Sequence, residues 1–170
     1  FLNRSGFSII ESYILRFHDV KAQASSILRE KGKPADFYSA EKAVDGKIET
    51  AWCKANDKKD DEQILEFKFK PVLTDSIYIL NGYGADNELY KANNRIKKYE
   101  ATVTFSDGTS MTKSGELADN RCLYGFSDDP EKKYKCRWNN DPDFDESPEK
   151  LFDFGMDNVR CITGLKIKII

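Results

Sequence analysis

The residues best suited to chemistry cluster in the stretch DGKIETAWC, which runs from Asp45 to Cys53. A carboxylate, a glycine, a threonine, a tryptophan and a cysteine fall within this short stretch of a largely β-patterned chain. Oxygen-bearing side chains at a glycine turn are ligands for a hard cation such as calcium, and they also cap turns through backbone hydrogen bonds. The stretch is therefore interpreted as a cation-binding loop, a tight turn beside a buried aromatic, or the rim of a ligand site.

A second group of candidate residues lies in NGYGADNELYKANNR, between Asn81 and Arg95. Sugar recognition uses flat aromatic faces together with planar amide or guanidinium groups. Tyr83, Tyr90, Asn94 and Arg95 supply these groups, so this loop is predicted to form the ligand-binding end. The structural alternative is that Asn94 holds the loop through backbone bonds and Arg95 pairs with a carboxylate beneath the sheet.

The four cysteines form an even set without a CxxC spacing, and the single histidine, His18, leaves no Cys/His zinc pattern. Two disulfides in an oxidising compartment are favoured over free thiols. A Cys122–Cys136 bridge would close the irregular loop at residues 119–148 and add about 3 kcal/mol in the chain-entropy picture. Within that loop Trp138 is a candidate ligand-binding or interface residue. A large aromatic in an acidic loop either packs against the end of the folded domain or contacts a partner.

The composition excludes several classes of function. Lys and Arg total 27 against 29 Asp and Glu, so the net charge of -2 gives no basic surface for nucleic acid. The hydrophobic share of 39% indicates a folded chain, and no apolar run is long enough for a transmembrane helix. No residues combine into a nucleophile–base pair or a phosphate-binding loop, which predicts a protein without enzymatic activity. The start at Phe1 leaves room for a targeting segment or lipid anchor upstream.

Short segments with alternating or β-branched apolar residues predict strands along most of the chain. Pro71 is expected to separate two of them, and the turn Ser106–Gly108 is expected to join a hairpin. In the last strand the predicted inward residues are Ile162, Leu165, Ile167 and Ile169. The pattern predicts an all-β fold, an antiparallel β-sandwich or jelly roll over residues 20–170, with an N-terminal extension at residues 1–19 that is either helix or strand. The predicted strand segments are residues 20–28, 63–70, 76–83, 95–105, 109–117, 149–155 and 159–170.

The order of motifs resembles a known superfamily. ASSIL, YSAEKAVDGKIETAWC, EQILEFKF, NGY, YKANNRIKK and RCITGLKI follow one another as in the discoidin or coagulation-factor type C, galactose-binding-like sandwiches. More narrowly, the chain resembles the NADase-type glycan-binding or translocation domain of spirochaete and other bacterial exported proteins. The resemblance implies a discoidin-like jelly roll without activity of its own, whose loops at one end hold a carbohydrate or another surface ligand.

The resemblance also implies roles for individual residues. It implies a Cys53–Cys161 bridge between the first loop and the last strand. It further implies that Asp45 and Thr50 ligate a structural calcium together with a glutamate of the last strand, but that position is Gly164 here. We therefore favour the alternative, in which no cofactor binds, Asp45 and Thr50 cap the turn, and Trp52 packs in the core.

These observations together predict a non-catalytic extracellular binding module that recognises a glycan or another surface ligand. The alternative is a structural, assembly or adhesin protein of the bacterial cell envelope that binds another protein. In either case the expected location is secreted or on the cell-envelope surface, and the expected partner is a glycan or a host or envelope protein.

Overall fold

The computed structural model describes residues 19–45, 47, 49–55, 63–79, 81–83, 92–117 and 149–170. Residues 1–18 of the predicted N-terminal extension, the predicted Cys122–Cys136 loop, Tyr90 and Trp138 lie outside these residues. Seven strands and a short 3-10 helix at Ala40–Ala43 make up the regular structure of the described part. The strands are β1 (Lys21–Ala24), β2 (Gln63–Thr74), β3 (Ser76–Ile79), β4 (Lys98–Phe105), β5 (Ser110–Glu116), β6 (Glu149–Asp153) and β7 (Arg160–Ile169).

The strands form two antiparallel sheets. One has five strands in the order β1-β2-β7-β4-β5, and the other pairs β3 with β6. Residues of both sheets share a single hydrophobic core, and the rings of Phe105 and Phe154 meet across it with centroids 5.9 Å apart. The predicted all-β antiparallel sandwich is confirmed.

The core side of the large sheet is built from cross-strand rows of apolar residues. Alternation places every second side chain of β2, β7 and β4 on the same face, and the pairing register brings these side chains together. All nine residues are buried. The rows are Leu65–Ile167–Ala101, Phe67–Leu165–Val103 and Val72–Ile162–Phe105.

Two irregularities correct the sequence-based expectations. Pro71 does not end a strand, because β2 continues through it to Thr74 with a register shift between Lys68 and Val72. Proline has no N–H to donate, and a bulge is one of the few places where a strand tolerates it. The register shifts again beside Ile162, which lets Ile162 and Leu165 both face the core although they are three residues apart. Ile169 is only half-buried.

Strand β2 runs the length of the sandwich and defines its two ends. At one end Gln63 pairs with Ile169, and at the other Thr74 pairs with Arg160. We name these the Gln63 end and the Thr74 end. Strand β3 runs from Ser76 at the Thr74 end back towards the Gln63 end, so Asn81 and Tyr83, which follow it, lie on the Gln63 side.

Candidate functional site

The Asp45 turn is organised by one carboxylate. Asp45 Oδ1 accepts hydrogen bonds from the Lys47 backbone N–H at 3.0 Å and from Thr50 Oγ1 at 2.7 Å. The Lys42 ammonium lies 4.0 Å from Asp45 Oδ2. The Asp45 carboxylate therefore caps the turn, as expected. Thr50 does not cap the turn, because its hydroxyl donates to the Asp45 carboxylate and accepts no backbone N–H among the described residues.

Trp52 and Cys53 are fixed to distant parts of the chain. Trp52 is partly buried against the core and donates its indole N–H to the Ser26 carbonyl at 3.0 Å. The Cys53 carbonyl accepts from the Leu28 N–H at 2.8 Å, and the Cys53 N–H donates to the Tyr38 carbonyl at 3.4 Å. This stretch thus holds three separate segments together at the Gln63 end.

A cleft opens beside this turn, and we name it the Tyr38 cleft. Its volume is about 180 Å³. The lining comes from the segment before the 3-10 helix, from that helix, from the Asp45 turn, and from the loop after β3. The lining residues are Pro34, Asp36, Phe37, Tyr38, Lys42, Glu49, Thr50, Ala51 and Tyr83.

The aromatic wall of the cleft is held by the turn that precedes it. The rings of Phe37 and Tyr38 pack edge to face with centroids 4.8 Å apart. The Tyr38 hydroxyl donates to Glu30 Oε2 at 2.9 Å, and the Lys33 ammonium lies 4.5 Å from the centre of the Phe37 ring. Glu30 and Lys33 belong to one turn, closed by the Lys33 N–H on the Glu30 carbonyl, with Gly32 at a φ of 86° that favours glycine. A single turn therefore holds both rings.

Two ionisable groups of this region have raised pKa values. Burial, the hydrogen bond to Glu30 and the Glu30 charge raise the pKa of Tyr38 to about 12. Burial, reinforced by the Glu30 charge, raises the pKa of the Cys53 thiol to about 11. Both groups are neutral at physiological pH, and the Cys53 thiol is not an activated nucleophile.

Tyr83 reaches the cleft from the loop after β3, and Asn81 fixes that loop. The buried Asn81 amide donates to the Ile96 carbonyl at 2.8 Å, and its oxygen accepts from the Ile96 N–H at 2.9 Å. This pair of bonds joins the segment before β4 to the segment that carries Tyr83. The backbone-holding role suggested for Asn94 is thus filled by Asn81, while Asn94 itself is exposed.

The structure brings together only some of the sequence-predicted site residues. Tyr83 and Thr50 line the Tyr38 cleft, and Asp45 supports it through Thr50. Asn94 and Arg95 are not among the lining residues, and Arg95 donates from Nη1 to the Asn93 carbonyl at 3.5 Å.

Sequence reasoning missed several lining residues of the cleft. They include Asp36, Phe37, Tyr38 and Glu49. The available signal was the pair of adjacent aromatics directly after a proline turn, which place two large rings in an irregular segment.

The predicted Cys53–Cys161 bridge is wrong, because both cysteines are free thiols in the structure. Cys161 pairs with Leu73, near the Thr74 end. Cys53 lies beside the Ser26–Leu28 segment, whose Ser26 hydroxyl bonds the Gln63 side chain at the other end. Leu73 and Gln63 are separated by about 30 Å along β2, at roughly 3.3 Å per residue. A disulfide needs Cα atoms within about 7 Å.

The predicted calcium ligands do not fit a calcium site. Calcium takes six to eight oxygens, and the Asp45 carboxylate here is engaged by an N–H, a hydroxyl and an ammonium. Gly164 is buried between Lys68 and Thr104 and has no carboxylate to add. Across the described ranges, no group of three or more His, Cys, Asp or Glu side chains could hold a metal ion.

The chain is similar to known proteins in sequence and in structure. Residues 16–141 match the sequence profile of the NAD glycohydrolase translocation F5/8 type C domain. The chain is also similar to a solved structure, CBM32-3 from a family 31 glycoside hydrolase from Clostridium perfringens, with 16% identity and a TM-score of 0.45. That similarity covers 94% of this chain and 80% of the other. Comparison with curated proteins gives no match.

The profile match accounts for more than half of the 170 residues, and it includes the whole lining of the Tyr38 cleft. None of the helices in the described part of the chain has the length and hydropathy to cross a bilayer. The two antiparallel sheets around one core agree with the sandwich that the order of motifs implied. The chain belongs to the family of NAD glycohydrolase translocation F5/8 type C domains.

Proposed function

We propose that residues 20–170 form a non-catalytic module that binds a glycan in the Tyr38 cleft, outside the cell. One observation carries this proposal: Phe37, Tyr38 and Tyr83, from two different loops, line one cleft together with carboxylate side chains. Aromatic faces pack against the C–H side of a sugar ring, and carboxylates accept hydrogen bonds from its hydroxyl groups. This combination is suited to a sugar.

The size of the cleft limits the ligand. Its volume of about 180 Å³ is smaller than the roughly 300–1,000 Å³ of pockets that enclose drug-sized molecules. A cleft of this size holds one ring of a glycan and leaves the rest in solvent. Few contacts then contribute to affinity, so we expect dissociation constants between about 1 mM and 1 μM.

The chemistry of the region supports binding and not turnover. Burial keeps the Cys53 thiol protonated, and burial together with the hydrogen bond to Glu30 keeps the Tyr38 hydroxyl neutral, since both raise its pKa. The only histidine, His18, lies outside the described residues. The family name refers to translocation of a NAD glycohydrolase, which is consistent with a module that serves a separate catalytic domain. A module that accompanies a translocated enzyme is consistent with the proposed location outside the cell.

The experiment is a titration of the ¹⁵N-labelled domain with a panel of mono- and disaccharides. Binding is monitored through the NMR chemical shifts of the backbone amides. We expect saturable shifts at residues of the Tyr38 cleft for at least one saccharide. Tyr38→Ala and Tyr83→Ala should weaken binding by about tenfold each, because each removes an aromatic face. Leu73→Ala, at the Thr74 end, is the control and should leave binding unchanged. If no saccharide shifts any amide at millimolar concentration, the proposal is wrong.

A second candidate function, capture of a protein of the cell envelope in an assembly or adhesin role, is favoured by the Thr74 end. Leu73, Met156 and Val159 are 70%, 86% and 52% exposed there. Exposed apolar side chains grouped at one end are typical of a protein interface. Under this alternative, Leu73→Lys with Val159→Lys should abolish binding to whole cells and leave the saccharide titrations unchanged.

A further inference from the structure

The carboxylates of Asp36 and Glu49 are the polar groups of the Tyr38 cleft that remain open to a ligand. Both residues are exposed, and neither side chain has a hydrogen bond or ion pair to any other residue that the structure describes. The third charged residue of the lining, Lys42, has its ammonium 4.0 Å from Asp45 Oδ2. The uncompensated charge within the cleft is therefore negative.

The neutral hydroxyl groups of the lining already have partners. Thr50 Oγ1 donates to Asp45, and the Tyr38 hydroxyl donates to Glu30. An ionised carboxylate only accepts hydrogen bonds, so a ligand that engages Asp36 and Glu49 has to supply the donors. A protonated amine supplies three donors and a positive charge, and charge-assisted bonds are about twice as strong as neutral ones.

The aromatic wall is also compatible with a cation. The Lys33 ammonium already lies 4.5 Å from the centre of the Phe37 ring, which shows that the face of this ring holds an ammonium group. Lys33 belongs to the same turn as Glu30, where the Lys33 backbone N–H donates to the Glu30 carbonyl at 3.2 Å. A cationic ligand in the cleft thus meets two open carboxylates and aromatic faces.

We propose that the glycan unit recognised by the Tyr38 cleft is an amino sugar with a free, protonated amine. This inference rests on the proposed function, since it specifies the ligand of the same cleft. The amine bonds the carboxylates of Asp36 and Glu49, and the ring packs against the aromatic wall. Acetylation of the amine removes both its charge and two of its donors, and so removes this preference.

The test compares two matched sets of sugars at one pH. Glucosamine is compared with glucose and N-acetylglucosamine, and galactosamine with galactose and N-acetylgalactosamine, by amide-shift titration of the whole chain. We expect at least one free amino sugar to bind about threefold or more tighter than both of its neutral counterparts. This ratio should grow at low salt, because screening weakens partly exposed charge pairs.

The carboxylates are tested by Asp36→Asn combined with Glu49→Gln, which keeps the size of both side chains. The ratio of the affinities for the amino sugar and for its neutral counterparts should fall to about one, because the amide side chains still accept hydrogen bonds but carry no charge. Glu41→Gln is the matched control, since Glu41 is an exposed acid of the 3-10 helix outside the lining. It should leave the preference unchanged.

The outcomes separate this inference from the proposed function. Equal or tighter binding of neutral sugars by the wild type overturns the inference and leaves the glycan-binding function in place. A preference that persists in the double variant also overturns the inference, because the carboxylates then have no part in it. Absence of binding by every saccharide overturns the proposed function and the inference together.

Discussion

The two ends of the sandwich each contain an Asp-Gly turn, and the two turns use the same hydrogen-bond chemistry. At the Thr74 end Asp107 accepts from the Thr109 N–H at 2.9 Å and from the Thr109 hydroxyl at 2.6 Å. At the Gln63 end Asp45 accepts from the Lys47 N–H and from the Thr50 hydroxyl. Each carboxylate therefore binds one backbone N–H two residues ahead and one threonine hydroxyl.

The two turns differ in what surrounds them. The Asp107 turn joins the adjacent strands β4 and β5 and closes through local bonds between Phe105, Gly108 and Thr109. The Asp45 turn lies in a region fixed by long-range bonds, such as that from Trp52 to Ser26. A local turn completes the sheet, whereas a turn embedded in long-range contacts can form the wall of a cleft.

The largest effect is expected from Asn81→Ala, which removes the bonds that fix the loop of Tyr83. The variant leaves the N–H and carbonyl of Ile96 without their partner in a partly buried position. We expect the free energy of unfolding to fall by about 2 kcal/mol or more, measured by urea denaturation. Asn94→Ala, with an exposed side chain in the same segment, should stay within about 0.5 kcal/mol. Equal losses in the two variants would contradict the role of Asn81.

The second-largest effect on stability and binding is expected from Asp45→Ala. The matched variant in the other turn is Asp107→Ala. Removal of the Asp45 carboxylate frees Thr50 and Lys42, which both line the Tyr38 cleft. We expect a loss of about 1 kcal/mol in stability together with weaker saccharide binding. Asp107→Ala should reduce stability without changing binding. Equal binding losses in the two variants would show that the difference between the ends is not functional.

A smaller effect is expected at the Tyr38 hydroxyl. The folded-state pKa of about 12 lies above the ordinary value, so Tyr38 contributes stability below about pH 10 that is lost as the pH rises towards 12. Glu30→Gln removes the carboxylate charge and leaves the burial of the phenol. The pKa of Tyr38 should then fall part of the way towards 10. Absorbance at 295 nm follows the titration, with Tyr38→Phe in each background to identify this tyrosine. An unchanged pKa would show that burial alone sets it.

The difference between the ends also explains what the sequence could predict. Alternation and the SDG turn predicted β4, β5 and the hairpin between them, because those contacts are local. The cleft forms because the segment of Tyr38 lies beside the segment of Asn81 and Tyr83, which is distant from it in sequence. No local spacing pattern in the sequence predicts that proximity. The Cys53–Cys161 prediction failed for the same reason, since it assumed proximity that the register of β2 and β7 excludes.

The smallest expected effect is that of calcium, which should shift the melting temperature by less than about 1 °C relative to EDTA. Binding to the native state alone would raise the melting temperature, but the Asp45 carboxylate already has an ammonium and two hydrogen-bond donors around it. The resemblance implied a glutamate at the position of Gly164. That side chain cannot be introduced without displacing a neighbour, because a Cβ there would lie 3.2 Å from the Phe67 carbonyl oxygen. A rise of several degrees that disappears in Asp45→Asn would contradict this expectation and make the Asp45 turn a metal site. In that case the two Asp-Gly turns would differ in metal binding as well as in their surroundings.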